Sequence, residues 1–156
     1  MIKYTVKKGF FWNCDESKYR KENLMFVIIL GGVKVTENLL KILVCDDSML
    51  IRKKLKEVLK SCGYTNILEA SNGQEAVDSY KENNPDLVFM DIIMPFKNGI
   101  EAVKEIIEFD NDARVVMASS AGTKEHVKVA IKAGAFEFVQ KPWEKEQINK
   151  ILLNLK

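Results

Sequence analysis

From residue 41 to the end of the chain, short apolar runs alternate with longer stretches of helical periodicity. KILVC (41–45) predicts a buried strand. Residues 49–62 predict a helix with Ile51, Leu55, Val58, Leu59 and Cys62 on one face. Ser48 is placed to cap its start, and Gly63 to follow its end. The cycle then repeats. Strands are predicted at 66–70 (NILEA), 86–90 (DLVFM), 114–118 (RVVMA) and 136–140. Helices are predicted at 73–82, 98–109, 123–133 and 144–155. Strands and helices in strict alternation imply an α/β domain, with a parallel sheet, right-handed crossovers and helices on both faces. The short connections and the nearly unbroken apolar strands fit a sheet covered on both sides.

Residues 1–40 stand outside this cycle and are read as an N-terminal extension, with the domain at 41–156. Residues 1–22 mix charge and aromatics without a period. LMFVIIL (24–30) is apolar but too short to span a bilayer. Basic KYRKEN precedes it, yet no small-residue cleavage pattern follows, which argues against a secretory signal. One reading makes residues 1–34 translated upstream sequence. Gly31-Gly32 can be encoded by a purine-rich, ribosome-binding-like stretch, and Val35 by a GTG start. Its rival is a genuine extension that packs on the domain or binds a partner. The codons at 31 and 32 decide between them.

Charge adds one point. The net charge of +2 is too small to call for nucleic acid or a membrane. Residues 1–40 carry 7 of the 24 Lys+Arg and 4 of the 22 Asp+Glu, a net of +3, so 41–156 is at 17 − 18 = −1. Cys14, Cys45 and Cys62 show no metal or redox spacing. Cys45 and Cys62 are read as small core residues, and the odd count fits a reducing compartment.

The polar residues of interest fall at successive strand ends. Asp46-Asp47 follows the first strand of the cycle, Asp91 the third, Ser119 the fourth and Lys141-Pro142 the fifth. Open α/β sheets bind ligands at this carboxyl edge. The pattern fits the strand order 2-1-3-4-5 of flavodoxin-like folds, which sets the first and third strands side by side. Asp46, Asp47 and Asp91 then converge. Two like charges about 4 Å apart repel by ~4 kcal/mol at an effective dielectric near 20, so the cluster needs shifted pKa values or a cation. An all-oxygen set suits Mg²⁺. Lys141 offers a mobile point charge for a phosphate oxygen, and the Ser119 hydroxyl a hydrogen bond. Taken singly, each residue is ordinary: an Asp pair caps helices, Ser-Ser makes turns and Lys-Pro breaks loops. The specificity lies in their joint order.

Through LVCDDS, FMDIIMPFKNG, VVMASSAG and KAGAFEFVQKPW, the chain resembles the receiver domains of response regulators in two-component signalling. The resemblance covers about 41–156. It implies a five-stranded sheet with five helices and a phosphoacceptor at Asp91. It implies Mg²⁺ held by Asp46, Asp47, Asp91 and the Ile93 backbone carbonyl. Ser119 matches the switch hydroxyl, Lys141 the phosphate-contacting lysine, and Phe138 the aromatic whose rotamer follows the hydroxyl. Lys141-Pro142 matches a cis peptide. The loop before Asn98-Gly99 departs from the common pattern by reading Phe96-Lys97, with Gly99 expected to serve the turn.

The implied partners are a histidine kinase, a downstream protein and a phosphatase, with a cytoplasmic monomer that is no enzyme beyond its own phosphorylation and dephosphorylation. DDSMLIRKKL and SSAG look most like CheY-type chemotaxis regulators, whose target is the flagellar motor switch. A phosphorelay shuttle serving another protein's histidine is the alternative. No output domain is expected after the last helix. Ile93 and Ala121 offer no group to orient an attacking water, so slow self-dephosphorylation is expected. His126 is expected to face solvent on the fourth helix of the cycle, and Trp143 to pack under the last helix. Two other classes are disfavoured. A flavodoxin-like FMN binder needs a phosphate-binding loop where Asp46-Asp47 stands. A phosphatase of the haloacid dehalogenase type needs a DxD arrangement, not DDS.

Overall fold

The computed structural model describes residues 25–30, 33–120 and 122–155. Strands β1 (Met25–Leu30) and β2 (Val33–Asn38) pair antiparallel, with Met25 opposite Asn38 and Leu30 opposite Val33. They form a sheet of their own, so this part of the extension stays outside the α/β cycle. Residues 1–24, which include Cys14, lie outside the described residues.

The cycle follows as β3 (Ile42–Cys45), α1 (Met49–Ser61), β4 (Ile67–Ala70), α2 (Gly73–Asn83), β5 (Leu87–Asp91), α3 (Gly99–Phe109), β6 (Val115–Ser119), α4 (Lys124–Lys132), β7 (Glu137–Gln140) and α5 (Lys145–Leu153). All pairings in this sheet are parallel, in the order β4-β3-β5-β6-β7. Counted within the cycle, that is 2-1-3-4-5. The central strands β3, β5 and β6 are buried throughout, while β4 and β7 at the edges are partly exposed.

Side chains alternate across each strand, and they divide the core in two. Leu43, Cys45, Val88, Met90, Val115 and Met117 pack on one face against α2, α3 and α4, with Val77, Val103, Ile106 and Ala130. Ile42, Val44, Leu87, Phe89, Val116 and Ala118 pack on the other face against α1 and α5, with Leu55, Leu59, Ile148 and Leu152. Cys45 is buried and Cys62 half-buried at the edge of the second cluster, as their apolar settings imply.

Helix ends follow local chemistry. The Ser48 side chain accepts from the Ile51 amide, and Asn98 and Glu101 form a reciprocal capping box on α3. Gly63 and Gly134 take the left-handed conformation after α1 and α4, with φ of 89° and 97°. Trp143 packs against the second core cluster. His126 corrects an expectation: it is half-buried, not solvent-facing. It lies in the first turn of α4, where side chains tilt back toward the helix start, and its amide donates to Thr123 Oγ1 at 3.3 Å.

Candidate functional site

Register brings the site together. Cys45 stands opposite Met90, so Asp46 and Asp91 fall on neighbouring strands at the same level of the sheet. Asp91 pairs with Ala118, and Ser119 with Gln140. The Lys141 amide then donates to the Ser119 carbonyl at 2.9 Å, which carries the lysine to the same edge.

Asp46, Asp47 and Asp91 each present a carboxylate oxygen within a span of 4.8 Å. Asp46 and Asp91 are buried, and Asp47 is exposed. Lys141 Nζ lies 2.8 Å from Asp91 Oδ1 and is also ion-paired to Asp46. The same ammonium sits over the Trp143 ring, 5.4 Å from its centroid. Burial raises the Asp91 carboxyl above its ordinary range. Lys141 pulls it back down, and the Asp46 charge adds to the rise. Burial also pushes the Cys45 thiol up, with the adjacent Asp46 charge contributing, which suits an inert core residue.

The donor set fits a hard divalent cation. Three carboxylates without histidine or cysteine match the oxygen preference of Mg²⁺, and exposed Asp47 leaves the site open to water and to a phosphate. Ser119 closes β6 as a buried polar residue. Phe138 lies on β7, half-buried against the cluster beneath α2, α3 and α4. Ile93 is 68% exposed and stands beside the site, two residues beyond Asp91. Ala121 lies outside the described residues. The Lys141-Pro142 peptide is cis, as the resemblance implies.

The loop from Ile92 to Asn98 depends on both residues that flank its turn. Its left-handed residue is Phe96, at φ 65° and 95% exposed, while Gly99 serves it by close approach. A Cβ there would meet the Asp91 carbonyl oxygen at 1.9 Å, while the Gly99 amide donates to the Ile92 carbonyl at 2.9 Å. Gly73 plays the same part from α2: its amide donates to the Lys97 carbonyl at 3.0 Å, and a Cβ would meet that oxygen at 2.3 Å. Reasoning from sequence also missed Arg52, whose guanidinium reaches the backbone of the acidic pair. Only its spacing of six residues from Asp46 could have hinted at it.

A parallel sheet with a carboxylate trio, a half-buried lysine and a buried serine at its carboxyl edge defines a receiver. The family model of the response regulator receiver domain matches residues 42–153, and the chain belongs to that family. Among curated relatives, the chemotaxis protein CheY of Thermotoga maritima is 44% identical over 108 residues, covering 69% of this chain and 90% of that protein. The CheY of Halobacterium salinarum is 46% identical over 108 residues, covering 69% of this chain and 89% of its own length. Among solved structures, a CheX-CheY-BeF3-Mg²⁺ complex from Borrelia burgdorferi aligns with a TM-score of 0.71 and 36% identity, over 74% of this chain and 88% of the solved one. A receiver domain protein from Clostridium thermocellum aligns with a TM-score of 0.70 and 30% identity, over 75% and 94%. The chain is a CheY-like response-regulator receiver domain. No helix among the described residues is long and apolar enough to cross a membrane.

Proposed function

We propose that this protein is a phosphoacceptor whose Asp91 takes a phosphoryl group from the phosphohistidine of a histidine kinase, in a reaction that requires Mg²⁺. An oxygen of Asp91 forms the new bond to phosphorus as the bond from phosphorus to the histidine nitrogen breaks. The observation that carries the reading is the carboxylate trio within 4.8 Å, with Lys141 already paired to the attacking carboxylate. Asp46, Asp47, Asp91 and the Ile93 carbonyl would hold the ion, which supplies charge neutralisation for the incoming phosphoryl group. Lys141 is tethered through its backbone to β6 and releases its ammonium from Asp91 to a phosphoryl oxygen. The Ser119 hydroxyl donates to another oxygen, and Phe138 follows it. This couples the site to the face formed by α4, β7 and α5. Such a switch needs two states within a few kcal/mol. Beyond this self-phosphorylation and its reversal the protein catalyses no turnover.

The output is a protein contact in chemotaxis, with the flagellar motor switch as target. The support is the similarity to proteins named CheY, at 40–46% identity. A phosphatase partner fits as well, because a solved relative is held in complex with CheX, BeF3 and Mg²⁺.

The test is intact-mass measurement after incubation with acetyl phosphate, with and without Mg²⁺, beside Asp91→Asn. A Mg²⁺-dependent phosphoryl adduct absent from the variant is expected. Equal labelling of the variant would overturn the assignment of Asp91.

A further inference from the structure

Arg52 rises from the second turn of α1 and turns back over the loop that carries the acidic pair. Its guanidinium donates to the Asp46 carbonyl at 2.8 Å and more weakly to the Asp47 carbonyl at 3.4 Å. Its Nε donates to Glu69 Oε2 at 3.1 Å, and the other Glu69 oxygen takes Lys56. The Arg52 side chain is only 14% exposed. Glu69 is fixed in β4 opposite Val44, one rung before the last of the strand, Cys45–Ala70. The clasp therefore spans strand, helix and loop.

Asp46 and Asp47 are held unequally. The Asp46 carboxylate accepts from the Ser48 amide at 2.9 Å and pairs with Lys141, and its own amide donates to Ala70 at 3.2 Å. The Asp47 carboxylate has no such partner among the described residues. Its direction is set by the two peptide planes on either side of it, and Arg52 holds the carbonyls of both. We propose that Arg52, braced by Glu69, is the positioning residue that aims Asp47, and with it the acidic pair, at the divalent ion. The inference rests on the reading of the trio as a Mg²⁺ site.

A pure charge effect has the opposite sign, which makes the proposal testable. A guanidinium near three carboxylates repels an incoming cation, so deleting it for charge alone tightens metal binding. Deleting a group that orients ligands weakens binding, typically about tenfold or more. Arg52→Lys keeps the charge but loses the planar fork.

The experiment titrates the full chain with Mn²⁺, which takes the same oxygen ligands, and follows the free ion by EPR. Wild type, Arg52→Ala, Arg52→Lys and Tyr80→Phe are compared after circular dichroism confirms their fold. Tyr80→Phe removes a 2.8 Å hydrogen bond to Asp110, at the opposite edge of the sheet, and controls for general softening. Both Arg52 variants are expected to lose about tenfold in affinity, with Tyr80→Phe unchanged. Tighter or equal binding by Arg52→Ala, wild-type binding by Arg52→Lys, or an equal loss in Tyr80→Phe overturns the positioning role. Should wild type itself bind no Mn²⁺, the metal reading falls first, and that outcome is distinct from the others.

Discussion

Lys141 Nζ stands 2.8 Å from Asp91 Oδ1 while the same ammonium pairs with Asp46. One half-buried cation thus bridges two carboxylates that a divalent ion would also claim. It offsets part of their mutual repulsion. On the proposed reading it also competes with metal, and would have to leave Asp91 before the carboxylate attacks phosphorus.

Lys141→Ala is therefore expected to bind Mg²⁺ more tightly and to be phosphorylated more slowly. A unit pair at 4 Å is worth ~4 kcal/mol at an effective dielectric near 20, and a third of that is about tenfold in affinity. Metal titration reads the first effect, and acetyl phosphate labelling reads the second. Weaker metal binding in the variant would show that the ammonium helps to build the site and does not compete for it.

Asp91 gives a stability prediction with a defined sign. Burial raises its folded-state carboxyl above the ordinary value, outweighing Lys141. The folded protein then holds this proton more firmly than the unfolded chain. Its contribution is full below the ordinary carboxylate range and is lost as pH rises through the raised value. Asp91→Asn removes that loss. Urea midpoints without metal should favour the variant at pH 8, with the gap closing toward pH 4. A constant gap across pH would assign the effect to something other than this carboxyl.

Gly99→Ala tests the close packing beneath the loop. The added methyl would lie 1.9 Å from the Asp91 carbonyl oxygen, a backbone atom that cannot rotate away. Overpacking typically costs about 1–3 kcal/mol, and a clash with backbone belongs at the upper end; the forced shift also displaces Asp91. Urea unfolding should show the loss, and Asp91 labelling should fall in the protein that remains folded. A variant of wild-type stability would mean that the loop yields at little cost.

Much of this was legible because strand and helix periods differ and the apolar runs were clean. The five βα units follow from that pattern, and the convergence of Asp46 and Asp91 follows from strand order. Lys141 and Ser119 could be placed at the right edge for the same reason. Side-chain reach was not legible. Nothing local in the sequence says that Arg52 turns back to the Asp46 carbonyl, since that contact needs the three-dimensional turn between β3 and α1. Nor does Phe96 announce a left-handed backbone, a conformation that usually calls for glycine or asparagine. The β1–β2 pairing is not legible because a short apolar run such as LMFVIIL carries no period that separates a strand from other apolar segments. The half-buried setting of His126 is not legible because its position in the helical pattern says nothing of the turn that caps it.

Ile93 sets an expectation for the lifetime of the phosphorylated state. It is 68% exposed beside the site, and its side chain is apolar. A water attacking the acyl phosphate needs a group to orient it or accept its proton, and isoleucine offers none. Self-dephosphorylation is accordingly expected to be slow, well beyond the scale of seconds, and removal in the cell to depend on a second protein. Ile93→Gln places an amide where it can hold that water, and should shorten the lifetime several-fold without altering the fold or the Mg²⁺ requirement. The measurement is the decay of the phosphoryl adduct by intact mass, after acetyl phosphate is removed. Loss of wild-type label within seconds, or an identical decay in Ile93→Gln, would move control of hydrolysis away from this position.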